Sequence, residues 1–116
     1  MGQRQDGFKD FVLDQLRRLP DLTHHAMFGG YGLYQRETFF GIIHKGRLYF
    51  KTTDETRSQY LANGMKPFRP NLKQTLKNYF EVPVDIMENT DQLTTWAKRA
   101  IFSQETEISK VRLKPR

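Results

Sequence analysis

Three histidines, His24, His25 and His44, are the side chains of this 116-residue chain best suited to moving protons near neutral pH, and imidazole is also the commonest protein ligand for metals. Adjacent residues on a strand point to opposite faces, so at most one of His24 and His25 can join His44 in a site. A structural zinc asks for four ligands, and the chain has no cysteine to complete such a set. The spacing therefore predicts no metal and no cofactor. Nucleophilic chemistry finds no support either: Ser58, Ser103 and Ser109 fall in helical or terminal stretches, not in a Gly-x-Ser-x-Gly elbow. Asp54, Glu55, Glu81 and Asp85 flank turns and helix starts, where carboxylates ordinarily accept local hydrogen bonds. Gly29, Gly30 and Gly32 match a phosphate cradle in composition, but that chemistry needs a helix to open directly after the loop, and a strand pattern follows here. We read these glycines as a bulge that bends a strand, and the chain as non-catalytic.

The basic residues offer a different chemistry. A formal charge of +6 sets up a positive field that favours anionic partners. Lys66, Arg69, Lys73 and Lys77 fall in one stretch without an acid, and Phe68 and Tyr79 are interleaved with them, a pattern able to contact phosphates. Lys110, Arg112, Lys114 and Arg116 add charge at the C-terminal end. The favoured reading of the 66–77 stretch is an edge strand kept from aggregating by its charge, with weak, salt-sensitive nucleic-acid binding as the alternative. No recognition-helix pattern is visible.

Several elements must position these groups. Phe8, Phe11, Val12, Leu16 and Leu19 recur at helical spacing, with Asp6 placed to cap the start and Pro20 to end the helix. Residues 24–52 then show short β-branched and aromatic runs, with Lys45-Gly46 and Arg36-Glu37 as turns, and we read three antiparallel strands, the first broken by its glycines. Thr53 or Asp54 can cap a short helix over 55–62, and strands are predicted over 66–69 and 76–82. Asn89 and Gln92 have capping-box spacing ahead of the apolar stripe Leu93, Trp96, Ala97, Ala100 and Ile101. The order α-β-β-β-α-β-β-α predicts an α+β domain of two layers, with a five-stranded antiparallel sheet and helices on one face. Residues 1–104 form the single domain and 105–116 a basic, mobile tail. In Phe39-Phe40-Gly41-Ile42-Ile43 both faces of the strand are apolar, so a row drawn from Tyr31, Leu33, Phe39, Ile43 and Tyr49 is expected to face outward and to want a protein partner or a second copy. No apolar run approaches the ~20 residues that span a bilayer, which with the missing cysteines points to the cytoplasm and away from membranes.

The run Met27-Phe28-Gly29-Gly30-Tyr31-Gly32-Leu33-Tyr34 resembles the signature of the N-terminal domain of the TfoX/Sxy family of bacterial competence regulators. Leu48-Tyr49-Phe50-Lys51-Thr52, Thr56-Arg57, Lys66-Pro67-Phe68, Tyr79-Phe80-Glu81-Val82-Pro83 and Leu93–Ala100 are similar to family positions in the same order. The resemblance covers roughly residues 8–102 and implies an α+β fold grouped with secretion-chaperone-like and YjbR-like domains. It brings no catalytic residue. Full-length members promote transcription of competence genes together with the cyclic-AMP receptor protein and carry a second, helical domain, for which this chain is expected to be too short. The implied function is a regulatory or adaptor domain that acts through protein contacts, as a homodimer or with a transcription-associated partner.

Overall fold

Apolar side chains every three to four residues fold the start of the chain into α1 (Gln3–Gln15), whose Val12 is fully buried, with Leu16 and Leu19 following it into the core. The computed structural model describes the backbone of residues 3–113 and the side chains of residues 7–106. Because α1 begins at Gln3, Asp6 falls within the helix and does not precede it as a cap. Phe11, expected in the apolar stripe, is 40% exposed. Next come β1 (Leu22–Met27), β2 (Gly30–Gln35), β3 (Thr38–His44) and β4 (Arg47–Lys51), a continuous antiparallel meander. The predicted break in the first strand is a reversal: Phe28 and Gly29 both take positive φ, +55° and +79°, which turns the chain back on itself as a two-residue hairpin loop. One broken strand thereby becomes two, and the sheet has six strands where five were expected.

The helix α2 (Asp54–Ala62) starts at Thr53, whose hydroxyl accepts from the Thr56 N–H while Thr56 Oγ1 accepts from the Thr53 N–H. It leads into β5 (Pro67–Asn71) and β6 (Gln74–Glu81), and β6 pairs with β4, so the sheet order is β1-β2-β3-β4-β6-β5. A single helical turn, α3 (Val84–Met87), precedes α4 (Thr90–Leu113), which opens with Asn89 Oδ1 accepting from the Gln92 N–H at 3.0 Å. This last helix continues through the stretch read as tail as far as Leu113.

Among the described residues, all four helices pack on one face of the sheet. Val12, Leu16, Tyr60, Met87, Leu93, Trp96, Ala97, Ala100 and Ile101 meet Leu33, Phe40, Ile43, Leu48, Phe50 and Phe80 in one cluster. The predicted outward row does not form as a row. Leu33 and Ile43 are fully buried beneath the helices and Tyr31 packs against the same cluster, whereas Phe39 and Tyr49 lie on the opposite face. A bulge explains the division: Leu33 pairs with Gly41 and Tyr34 with Phe39, so Phe40 is the extra residue in β3. Phe40 and Gly41 both turn to the helix side, and Gly41 fits there because an added Cβ would meet the Phe50 ring and the Leu33 methyl within 3.3 Å.

The opposite face is closed by the β5–β6 hairpin rather than left open. Two breaks in the β5–β6 register let the hairpin curl, and this carries Phe68 over the sheet, where it is fully buried against Tyr49, Phe28 and His44. Ile42, Tyr79, Phe39 and Leu76 complete this second, smaller core. The His44 ring hydrogen-bonds to the Phe28 carbonyl, which raises its pKa, but burial first and the Lys45 charge second outweigh that and hold it below the usual 6.5. As pH falls below about 6.5 the unfolded chain therefore takes up a proton before the folded one does. Stability from this group is complete above that pH and is lost as pH falls through the folded value. The urea midpoint of the protein should thus drop more steeply with acidification than that of His44→Gln, and coincident profiles would refute this role for His44.

Candidate functional site

A polar cleft of about 590 Å³ lies between the start of α2 and the second half of α4. Its floor is fixed by Arg57. The guanidinium donates from Nε to Thr52 Oγ1 at 3.2 Å, from Nη1 to Asp54 at 2.9 Å and from Nη2 to Asn78 Oδ1 at 2.9 Å, and it sits 5.9 Å from the centre of the Phe80 ring. Thr52, fully buried, donates in turn to the Asn78 carbonyl, so β4, β6 and α2 are joined beneath the cleft. An arginine held by this many partners is a preorganised positive charge with little conformational entropy left to lose on binding.

The opposite wall is α4. Lys98, Phe102 and Thr106 follow one another at intervals of four, which places them on one side of the helix beside the core stripe. Phe102 is 69% exposed, a large apolar side chain standing in a polar setting, and Lys98 is exposed next to it. Ser103 is buried at the base. At the far end Arg99 donates to Gln59 Oε1 at 3.0 Å and ties α4 to α2. Behind it Tyr60 is buried against Trp96, and that burial pushes its phenol far above the ordinary range although the Arg99 charge opposes the shift. Sequence reasoning passed over this cleft. The signal was the four-residue spacing of Lys98, Phe102 and Thr106, offset by one position from the core stripe.

The structure places the sequence-predicted groups as follows. Lys66, Arg69, Lys73 and Lys77 are all exposed on or beside the β5–β6 hairpin, and Lys66 and Arg69 line a shallow cleft of about 530 Å³ together with Arg47. Arg47 is paired with both oxygens of Glu81, and Arg69 donates to the Leu72 carbonyl. The side chains of Lys110 and Arg112, and all of Lys114 and Arg116, lie outside the described residues. His24 and His25 stand on opposite faces of β1, edge-on to Tyr31 and Tyr34, and among the described residues no three His, Cys, Asp or Glu side chains gather as a metal site would require. Gly29 belongs to a turn and β2 begins at Gly30, so the signature Met27–Tyr34 shapes a hairpin. Among the described residues no helix is long and apolar enough to cross a membrane.

An antiparallel sheet with four helices on one face and a curled hairpin on the other is an α+β domain whose clefts lie between elements, at the helix pair and along the edge hairpin. The family model of the TfoX N-terminal domain matches residues 14–103, and the chain belongs to that family. It is also similar to the DNA transformation protein TfoX1 of Aliivibrio fischeri (strain ATCC 700601 / ES114), with 30% identity over 84 residues. That match takes in 71% of this chain and 38% of the relative, so the chain spans well under half of the relative's length.

Proposed function

We propose that this chain is a non-catalytic regulatory adaptor that works through protein contacts in the control of DNA transformation, with the α2–α4 cleft as its contact surface. Family membership and the name of the relative support the context. The observation that carries the mode of action is Phe102, an exposed phenyl ring in a cleft whose floor is the immobilised Arg57 and whose wall bears Lys98. Such a cleft suits a short segment that presents one apolar side chain beside a carboxylate, because burying the ring drives association while Lys98 next to it favours an anion, Arg57 being already paired with Asp54. Control of competence genes sets this work in the cytoplasm.

A chimera tests the proposal. With this domain in place of the matching 84-residue region, the TfoX1 relative should still support transformation in its own host. Phe102→Asp and Lys98→Glu should each lower transformation frequency at least about tenfold, the equivalent of 1.4 kcal/mol of lost contact, while the circular dichroism spectrum stays native. An inactive parent chimera, or fully active cleft variants, would count against the adaptor reading. One observation favours a second reading, direct nucleic-acid binding: the four exposed cations of the β5–β6 stretch share one hairpin beside Arg47. A tight gel shift on duplex DNA that weakens steeply with salt and is lost in Lys73→Glu with Lys77→Glu would support it instead.

A further inference from the structure

The two edges of the sheet are built differently. At β5 the prolines Pro67 and Pro70 lack amide donors, the register breaks twice, and Arg69 is exposed, all devices that discourage another strand from pairing. At the other edge β1 has none of them. Leu22–Met27 contains no proline, glycine or fixed charge, keeps an unbroken register with β2 over six pairs, and exposes Thr23, His24, His25 and Ala26 on both faces. An edge of this kind is open to strand addition.

The direction of its free backbone groups follows from the turn. A two-residue hairpin loop makes Met27 and Gly30 a hydrogen-bonded pair, and at the other end the Arg36 N–H donates to the Asp21 carbonyl at 3.0 Å. Odd-numbered residues of β1 thus spend their backbone groups on β2. The N–H and C=O groups of Leu22, His24 and Ala26 point to the open side.

We propose that β1 is a homodimerisation edge, pairing antiparallel with β1 of a second copy about a two-fold axis at His24. Two antiparallel strands can bond only where outward-pointing residues oppose one another, and this register alone uses all three: Leu22 faces Ala26 of the copy, His24 faces His24, and Ala26 faces Leu22. Shifting the axis to His25 would bring Leu22 opposite Phe28, inside the turn. The strand is its own complement, apolar against small, and holds no Asp, Glu, Lys or Arg, in a chain whose overall charge of +6 would otherwise keep copies apart. Because the axis stands perpendicular to the sheet, the two sheets join into one with all the helices on the same side. The interface lies away from the α2–α4 cleft and does not depend on it.

Sedimentation equilibrium of the full chain at concentrations up to about 0.5 mM should show a reversible dimer. Ala26→Pro removes one outward donor and leaves the bonds to β2 intact, so it should weaken dimerisation at least tenfold with the fold preserved. His24→Lys, which sets two like charges face to face at the axis, should do the same and covers the case in which the proline variant fails to fold. The chain has no cysteine of its own, so His24→Cys should give a disulfide-linked dimer with oxidised glutathione and His25→Cys far less of one. A strictly monomeric wild type, a dimer indifferent to both β1 variants, or more cross-linking at position 25 than at 24 would overturn the proposal.

Discussion

Replacing Gly30 with alanine is expected to destabilise the domain by about 3 kcal/mol or more, and to leave part of the protein unfolded at physiological temperature. The reason is local. A Cβ at this position would run into the Ile43 carbonyl oxygen and lie 3.0 Å from its carbon and 3.1 Å from the Cα of His44. All three are backbone atoms of a central strand and cannot step aside without breaking the β2–β3 ladder. Gly32→Ala provides the control, since its added methyl would meet the flexible end of Met27 and the rim of Phe39. It should cost roughly 1 kcal/mol. Urea denaturation of the two variants settles the matter, and equal midpoints would show that the approach of β3 to Gly30 is not the constraint.

Phe68→Ala should cost about 3–5 kcal/mol, the range for truncating a fully buried phenylalanine. Phe68 is the one β5 side chain that reaches across the sheet, and it is the common neighbour of Phe28, His44 and Tyr49. Its loss opens a cavity over Ile42 and removes the packing that holds the β5–β6 hairpin in its curl. Amide exchange should therefore accelerate first in residues 67–81, ahead of the helix-side core. Uniform acceleration across both clusters would mean that the second core is not a separable unit.

The helix-side core was legible in the sequence because its signal is a period. Leu93, Trp96, Ala97, Ala100 and Ile101 repeat at the pitch of a helix, and nothing else in the chain competes for that reading. Lys45-Gly46 was equally legible as a turn, since glycine accepts the φ of +73° it adopts there. Phe28-Gly29 was not, because phenylalanine is a poor turn residue. It holds a φ of +55° with its ring against Phe68 and its carbonyl accepting from His44, both distant in sequence. The outward row failed for a related reason. In Phe39-Phe40-Gly41-Ile42-Ile43 apolar residues stand at nearly every position, so alternation carries no information about which face each one takes. The short helix α3 left no pattern at all, being a single turn. The cleft residues on α4 were visible as positions but not as a site, since only α2, folded back against them, makes them one.

The bulged Phe40 has a consequence for how this strand tolerates length changes. The extra residue is spare in the ladder but not in the core: deleting it would leave Phe39 opposite Tyr34 and against Tyr79, in regular register with β2, while taking the Phe40 ring out of the space beneath the helices. Insertions and deletions in related chains should accordingly gather at the Arg36-Glu37 corner, where an added residue is absorbed by solvent, and avoid the four positions that follow it.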